Sequence, residues 1–303
     1  AQGATVVATV NPNALDDLEY LYVILPYFNY CNYSRRTELF IHFVNSIRHI
    51  PNIRIVIVEA KLKSRFHEDI PQVDANAWDI PSMEKVYMHI QVYTGDPIWI
   101  KESLINIGIS KLPQTWNYVA WVDADLTFLN KNWVNETIAK LQTSGVVQLF
   151  QTCSFMGPMG ETIKTDRGFV YMYLDSGRAY TKTYKYGLWH PGFAWACTRM
   201  SYDQMGGLID WGILGSGDHH MALALIGKVE CSHPGNIHEN YAKLLSRYQA
   251  NTRGIKLGYI SGTILHHWHG SLQNRRYKER WQILCEGKYD PKADIYRTPV
   301  SYT

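Results

Sequence analysis

Two aspartates, separated by one small residue, stand where an apolar run meets a turn. The segment is NYVAWVDADLTFLN, and the run ends at Asp123 and Asp125. Two unpaired carboxylates at the end of a core strand repel each other and are costly to desolvate. A divalent cation would relieve both costs, because Mg²⁺ and Mn²⁺ take oxygen ligands and commonly share them with substrate phosphates. Asp-x-Asp also occurs by chance in turns, and the strand context is what favours a metal site.

A second group able to hold a metal is the histidine cluster in ILHHWHGS, which contains His266, His267 and His269. Alternate residues of an extended segment share a face, so His267 and His269 are expected to point the same way. Imidazole suits Mn²⁺ better than Mg²⁺. The alternative is a polar strand end with one packed histidine. Taken with the aspartates, the pattern predicts a mixed Asp/His site for Mn²⁺ (or Mg²⁺) with His267 and His269 as the expected imidazole ligands, and the choice among the three histidines stays open.

A third acidic residue, Asp218, begins a predicted helix in GSGDHHMALALIG. An acid in the first turn of a helix is favoured by the helix dipole and by capping, which would make Asp218 structural. A carboxylate on a pliable Gly-Ser-Gly loop can also act as a general base toward a hydroxyl. The local pattern leaves both interpretations open. His219 and His220 are weaker candidates for a base or a ligand.

Two segments interleave basic and aromatic residues: RAYTKTYKYGLWHPGFAW, with Lys182 and Tyr184, and NRRYKERW, with Arg275 and Arg276. Such segments can hold a phosphate backbone and stack bases. Each alone is equally well explained as a solvated face with ordinary aromatic packing. Their recurrence beside the histidine-containing segments favours a nucleic-acid contact.

The elements that must position these residues alternate between strand and helix in the first half. The predicted strands are YLYVILPY (ending at Pro26), NIRIVIVEA, KVYMHIQV and YVAWVDAD, and the predicted helices are SRRTELFIHFVNSIRHI (capped by Ser34) and PIWIKESLINIGISKL. This order predicts an α/β fold with a mostly parallel central sheet flanked by helices. Ligands of such sheets bind beyond the carboxyl ends of the strands, where Asp123 and Asp125 stand.

The second half is less regular. GVVQLFQTCSFM, GFVYMYL and GTILHHWHG are predicted as strands, and DHHMALALIG and NRRYKERWQIL as helices. We find no Pro/Gly/Ser-rich linker and predict one domain over 1–303. Its sheet-forming half spans about 18–130, and its C-terminal half, about 145–285, completes the site.

Composition excludes several classes of protein. The net charge of +3 is too small to imply a nucleic-acid partner by itself. Five widely spaced cysteines without a CxxC pair argue against a disulfide framework and favour a reducing compartment. No apolar run reaches the ~18 residues of a membrane span, and no signal peptide is evident, so we expect a cytoplasmic protein. Walker A, GxSxG and GxGxxG motifs are absent, which disfavours NTPases, serine hydrolases and dinucleotide oxidoreductases.

In this order, the segments between about Leu21 and His269 resemble the metal-dependent glycosyltransferases with a single GT-A domain. The likeness is greatest to galactosyltransferases of the lactose-synthase type and their N-acetylgalactosaminyl relatives. ILPYFN, with Pro26 and Tyr27, resembles the start of their nucleotide pocket. IKESLINIGI resembles their Arg-containing Leu-Asn-Val-Gly helix, with Asn106 and Gly108 matching and Lys101 in place of the arginine near the base.

The remaining motifs of the resemblance carry the chemistry. WVDADL matches the family's Asp-x-Asp, and LHHWHG its late metal-binding histidine. HPGFAW, with Gly192 and Phe193, resembles the segment that contacts the acceptor and donor sugar. DWGILGSGDHH resembles the family's Trp-Gly-Trp-Gly-Gly-Glu-Asp-Asp stretch: Asp218 matches the catalytic Asp, and Gly217 replaces the acidic residue before it.

The resemblance implies a GT-A (Rossmann-like) fold and an inverting hexosyltransferase that uses a nucleotide sugar, expected to be a UDP-sugar. Mn²⁺ on Asp125 and a late histidine would neutralise the diphosphate leaving group, and Asp218 would deprotonate the acceptor hydroxyl. Asp123 would bind ribose or metal-bound water. Glu59 would contact the nucleoside, and the sugar would have apolar walls formed by Trp189, Phe193 and Trp211.

The acceptor favoured by the basic-aromatic segments is a hydroxymethylated pyrimidine base in DNA, as in viral base hypermodification. HHWHGSLQNRRY also resembles segments of phage-type glycosyltransferases, so the expected location is a bacterial or virus-infected cell. A glycan or glycolipid hydroxyl is the alternative acceptor. A non-catalytic nucleotide-sugar or nucleic-acid binding module and a metal-dependent phosphodiesterase are alternatives of another class. The donor sugar, the anomer and the oligomeric state stay open.

Overall fold

The computed structural model describes residues 6–10, 19–62, 78–94, 97–176, 189–271 and 279–295 of the 303-residue chain. Within these ranges the strands are β1 (Val6–Val10), β2 (Leu21–Phe28), β3 (Ile53–Leu62), β4 (Met88–Thr94), β5 (Tyr118–Val122), β6 (Leu126–Phe128), β7 (Val146–Gln148), β8 (Thr152–Met156), β9 (Thr162–Gly168), β10 (Trp189–His190), β11 (Ala194–Thr198), β12 (Leu257–Tyr259) and β13 (Thr263–His266). The α-helices are α1 (Ser34–Ile47), α2 (Lys101–Ser110), α3 (Trp133–Leu141), α4 (Phe169–Ser176), α5 (Arg199–Met205), α6 (Gly217–Leu225), α7 (Glu239–Thr252) and α8 (Glu279–Glu286).

The central sheet has eight strands in the order β1-β4-β3-β2-β5-β11-β7-β12. The pairs β3–β4, β2–β3, β2–β5 and β7–β12 are parallel, whereas β1 and β11 run against their neighbours. Six of the eight strands therefore share one direction. The predicted α/β fold with a mostly parallel central sheet is confirmed.

The middle of the sheet is buried on both faces because strands β2 and β5 are apolar almost throughout. In β2, Leu21, Val23 and Leu25 enter one core with α1 and α3, while Tyr22 and Ile24 enter the other with α2. Near-continuous apolar strands of this kind are typical of parallel sheets covered by helices. Both cores contain residues from the first and the second half of the chain.

Strand β2 differs from the prediction in where it ends. Pro26 does not stop the strand, which continues to Phe28. The β2–β5 pairing ends at Ile24 and Trp121, while the β2–β3 pairing continues to Phe28 and Ala60. Pro26 therefore lies where the strand has a neighbour on one side, which is where a sheet tolerates proline.

The second half also departs from the prediction. GFVYMYL forms helix α4 rather than a strand, since a short apolar run does not distinguish a buried strand from a buried helix. A second sheet of five strands follows the order β10-β9-β8-β13-β6. Among the described residues we find no helix whose length and hydropathy suit a membrane span. All five cysteines are free thiols.

Candidate metal and acid–base site

Asp125 forms one group with His266 and His269. The Nε2 atoms of His266 and His269 lie 3.5 and 3.1 Å from Asp125 Oδ2. One potential ligand atom from each of the three residues lies within 4.8 Å of the others. A carboxylate oxygen and two imidazole nitrogens are a donor set that suits Mn²⁺ or Zn²⁺.

The second sheet brings these residues together. β6 begins at Leu126, directly after Asp125, and its antiparallel pairing with β13 sets His266 opposite Leu126. β13 ends at His266, and the backbone N–H of His267 donates to the carbonyl of Asp125 at 2.9 Å. The register therefore fixes His266 beside Asp125.

The ligand set predicted from alternation along an extended segment is corrected by this geometry. His267 Nε2 lies 2.8 Å from Thr127 Oγ1 and is outside the group around Asp125. Because the strand ends at His266, residues 266 and 269 face Asp125, rather than 267 and 269. The histidine cluster was visible in the sequence, but the residue at which strand β13 ends was not.

Asp125 is held in its ionised form, which is the form of a carboxylate that binds a metal ion. Burial by itself raises the pKa of Asp125, but the charges and hydrogen bonds of His266 and His269 outweigh it and hold that pKa well below its usual range. The second carboxylate oxygen, Oδ1, is buried, and no described residue gives it a hydrogen bond. A buried anionic oxygen without a donor is costly. A divalent cation bound by this residue would remove that cost.

Asp123 has a different partner, Lys101. Lys101 Nζ lies 2.7 Å from Asp123 Oδ1 and 3.0 Å from Asp218 Oδ2, so one ammonium group bridges two carboxylates. Burial by itself lowers the pKa of Lys101, but Asp123, Asp218 and Glu102 hold it well above its usual range. The lysine is therefore charged throughout the neutral range. Burial raises the pKa of Asp123, and Lys101 opposes that rise.

Lys101 and Asp218 both lie at the N-termini of helices. Lys101 is the first residue of α2, and Asp218 lies in the first turn of α6. Ser216, before α6, has a left-handed backbone with φ of 74°. A left-handed residue turns the chain sharply, so Asp218 enters the helix facing Lys101. First-turn carboxylates are also stabilised by the helix dipole.

Glu102 is a member of this cluster that the sequence did not indicate. Its side chain is buried, and Trp99 Nε1 donates to its Oε2 at 3.0 Å. A Cβ atom on Gly217 would lie only 2.3 Å from Glu102 Oε1. Burial, together with the charge of Asp218, raises the pKa of Glu102 to about 8. Gly217 therefore contributes space, and Glu102 occupies it.

The HPGF segment reaches both parts of the site. The Phe193 carbonyl accepts a 2.8 Å hydrogen bond from the backbone N–H of Asp123. The Phe193 ring stacks on His190 at 3.8 Å and lies 4.8 Å from the His266 ring. Its φ of 78° is strained for a bulky residue, and such strain is concentrated at functional sites. A Cβ on Gly192 would lie 3.3 Å from Asp218 Oδ2.

Two predicted wall residues are half-buried. The ring of Trp189 stacks on His219 at 5.7 Å, and that of Trp211 packs edge-on against Tyr241 at 4.7 Å. Burial lowers the pKa of His219 to about 4, so this ring is neutral. His220 lies in the interior, between Ser232 Oγ at 2.7 Å and Tyr241 Oη at 2.9 Å, which makes it a packing residue of α6.

Two predicted nucleotide contacts are corrected. Glu59 has no exposed surface: its Oε1 accepts from the backbone N–H of Asp79 at 2.7 Å, and its Oε2 lies 2.9 Å from His89 Nε2. The side-chain amide of Asn106 bonds the backbone N–H and C=O of Leu208. Glu59 anchors the backbone at Asp79 and Asn106 anchors the segment before Trp211, so neither side chain is available to a nucleotide.

The other predicted residues fall into two groups. Pro26 and Tyr27 lie near the end of β2, and Tyr27 Oη is 2.6 Å from Thr37 Oγ1 and 3.4 Å from Asp79 Oδ2. The basic and aromatic candidates lie outside the described residues: Lys182, Tyr184, Arg275 and Arg276.

No family model matches the chain, and no curated protein matches it. Among solved structures, the catalytic domain of Drosophila β1,4-galactosyltransferase 7 in complex with xylobiose is similar over 93% of this chain and 90% of that chain, with 12% identity and a TM-score of 0.43. A mannosyltransferase from Pyrobaculum calidifontis in complex with GDP-Man and Mn²⁺ is similar over 92% of this chain and 66% of that chain, with 12% identity and a TM-score of 0.42. At these values, the function has to be argued from the residues of this chain.

Proposed function

We propose that this protein is a divalent-metal-dependent, inverting glycosyltransferase that moves a hexose from a nucleotide sugar, expected to be a UDP-sugar, to an acceptor hydroxyl. One observation carries the proposal: the Asp-x-Asp motif divides between two adjoining groups. Asp125 faces His266 and His269, and Asp123 shares Lys101 with Asp218.

This division matches what a direct displacement requires. The leaving diphosphate and the attacking hydroxyl stand on opposite sides of the anomeric carbon, so a cation and a base must flank one sugar ring. Two residues of extended chain span at most about 7 Å, which sets the backbone separation of Asp123 and Asp125. The metal group and the base group are therefore held close enough to act on the same sugar.

The metal would be held by Asp125, His266 and His269, and the buried Oδ1 of Asp125 is the atom whose environment best fits a cation. When bound, Mn²⁺ supplies charge neutralisation for the departing diphosphate. Asp123 keeps about a quarter of its side chain exposed, with a relative exposure of 28%, and can bind a ribose hydroxyl.

Asp218 is the proposed general base. Its side chain is 21% exposed, so a substrate hydroxyl can reach it, and Lys101 holds its Oδ2 at 3.0 Å. A carboxylate fixed in this way can take the proton of the acceptor hydroxyl as the new glycosidic bond forms. Gly192 leaves room beside it, because a side chain there would crowd Asp218 and His190. Half-buried Trp189 and Trp211 are the proposed apolar walls for the sugar, whereas Phe193 is 5% exposed and packs inside the protein.

For the acceptor, we propose a hydroxymethylated pyrimidine base in DNA. The basic-aromatic segments support this, since one directly precedes Trp189 and the other closely follows His269 in the sequence. Such an acceptor would place the reaction in the cytoplasm of a bacterial or virus-infected cell. A glycan or glycolipid hydroxyl is the alternative, and the apolar walls at Trp189 and Trp211 suit it equally.

A donor screen tests the proposal. UDP-sugars are incubated with the protein and Mn²⁺, with hydroxymethylated DNA or simple glycosides as acceptors, and products are identified by mass spectrometry. We expect a mass increase of one hexose on DNA, abolished by EDTA and lowered by at least ~100-fold in Asp218→Asn. Asp203→Asn is the matched control, because Asp203 is 66% exposed in a surface pair with Arg199.

The possible outcomes separate the alternatives. Transfer to glycosides but not to DNA would refute the DNA acceptor and keep the enzyme class. Unchanged turnover in Asp218→Asn would refute the base assignment. Binding of UDP-sugars without release or transfer of sugar would favour a non-catalytic module, and cleavage of DNA by the protein and Mn²⁺ without a donor would favour a phosphodiesterase.

A further inference from the structure

At the start of helix α6, Gly217 has no side chain, and the carboxyl group of Glu102 from α2 occupies the space beside it. Gly217 is the first residue of α6, and Glu102, the second residue of α2, points its carboxyl group at it. The ideal Cβ position of Gly217 is 2.3 Å from Glu102 Oε1 and 2.6 Å from its Cδ. Real Cβ contacts do not come this close, so a side chain at 217 would displace the Glu102 carboxyl group or move α6 away from α2.

The other oxygen of Glu102 is also fixed. Trp99 Nε1 donates to Oε2 at 3.0 Å, and the backbone N–H of Trp99 donates to the Ile213 carbonyl at 3.0 Å. Trp99 thereby joins the loop before α6 to the start of α2. Glu102 is 5% exposed, so it does not contact substrate directly.

The charged groups around Glu102 come from four elements, α2, α6, α8 and the end of β5. Lys101 and Asp218 act on it directly, and Asp123 faces the same lysine from the end of β5. Arg280 of α8 donates to the Leu214 carbonyl at 3.0 Å on the same loop. One lysine thus already serves two carboxylates, and a third negative charge at Glu102 would exceed what it can neutralise.

We propose that Glu102 is a positioning residue for Asp218: its carboxyl group, held by Trp99, fills the space at Gly217 and fixes the start of α6 so that Asp218 meets Lys101. The inference rests on the proposed function, because it gives Asp218 the role of base. In this arrangement Glu102 holds its proton near neutral pH, consistent with a pKa raised to about 8. Ionisation at higher pH adds repulsion toward Asp218 and disturbs the base.

A double-mutant cycle tests the contact. Gly217→Ala puts a methyl group where the Glu102 carboxyl lies, so we expect kcat to fall at least ~10-fold with KM for the donor nearly unchanged. In the Glu102→Ala background the space is open, and adding Gly217→Ala should change kcat by less than ~3-fold. An equal loss in both backgrounds would overturn the inference. Thermal unfolding of each variant verifies that it folds. If Gly217→Ala alone does not fold, folding of the double variant reports on the contact, because Glu102→Ala opens the space that the new methyl group needs.

A pH profile tests the proton. Glutamine can accept the Trp99 hydrogen bond and cannot ionise, so Glu102→Gln should keep kcat within ~3-fold at pH 7 and lose the alkaline fall of the wild type near pH 8. The exposed Glu230→Gln is the control and should keep that fall. Identical profiles for wild type and Glu102→Gln would overturn the inference. A wild type that transfers no sugar to any acceptor would instead overturn the proposed function, which separates the two failures.

Discussion

Replacing Lys101 with methionine removes the positive charge between Asp123 and Asp218 while keeping a side chain of similar length. The two contacts are 2.7 and 3.0 Å long, and the lysine side chain is 9% exposed. Removing one partner of a fully buried ion pair costs about 3–5 kcal/mol. The carboxylates keep 28% and 21% of their side-chain surface exposed, so water screens part of the loss. We therefore expect a loss of about 2–3 kcal/mol in the free energy of unfolding.

For a chain of 303 residues, the entropy of unfolding is about 0.6 kcal/mol/K, so this loss lowers Tm by about 3–5 °C. The assay is thermal and guanidinium unfolding of Lys101→Met and Lys101→Arg, followed by circular dichroism. Lys101→Arg keeps the charge and should lose less. Lys243→Met is the matched control, because Lys243 pairs with Glu239 at 2.7 Å on the exposed surface, where ion pairs contribute little.

The same variant has a pH signature whose sign follows from linkage. Burial already raises the pKa of Asp123 and Lys101 opposes that rise, so removing Lys101 raises this pKa further, and the folded variant binds more protons than folded wild type as the pH falls. Its stability relative to wild type therefore improves as pH falls from 8 to 5. A loss below ~0.5 kcal/mol at pH 7, or a loss that does not shrink on acidification, would refute the bridging role of Lys101.

Three further predictions concern the metal group, Glu102 and Gly108. His266→Ala should weaken Mn²⁺ binding at least ~10-fold by isothermal titration calorimetry, while His267→Ala should leave it nearly unchanged; equal effects would contradict the ligand set. Burial raises the pKa of Glu102 to about 8, so the folded protein binds more protons than the unfolded chain between about pH 4.5 and 8, and its stability falls as the pH rises through this range. The free energy of unfolding of Glu102→Gln, relative to that of the wild type, should therefore rise by roughly 2–4 kcal/mol between pH 5 and 8 and stay level at higher pH. If urea unfolding shows a difference that does not change with pH, the raised pKa is refuted. Gly108→Ala would place a Cβ 2.8 Å from Ile24 Cγ2, between α2 and β2, and should cost about 1–3 kcal/mol by chemical denaturation; an unchanged midpoint would mean that the helix can shift at no cost.

Much of the frame was predictable from the sequence because it depends on local patterns. Near-continuous apolar runs identified β2, β3 and β5, and their alternation with helical segments predicted the mostly parallel sheet. Helix α4 was predicted wrongly, because a run of seven residues with buried Phe169 and Val170 fits either a strand or a helix.

Chemistry-bearing residues were recognisable by type, but their partners were not. The histidine cluster indicated a metal group, and yet the choice of His266 over His267 depended on β13 ending at residue 266 in register with β6. Glu59 stood at a strand end suited to a nucleoside, and the fold used both of its oxygens to anchor a loop and a neighbouring strand. The residues around Glu59 in the sequence do not indicate that its partners are the backbone N–H of Asp79 and the side chain of His89 on the neighbouring strand.

The chemical residue types were readable in the sequence: two aspartates after a buried strand, three histidines close to one another, and an acid at a helix start. Their partners depend on the packing of distant elements, which joins Lys101 to Asp218 across 117 residues and sets Glu102 against Gly217. Hydrophobic periodicity is a property of neighbouring residues, whereas a buried charge is stabilised by whichever group the packing of distant elements brings within about 3 Å. That is why the two carboxylates of one Asp-x-Asp motif have separate partners, a lysine for Asp123 and two histidines for Asp125.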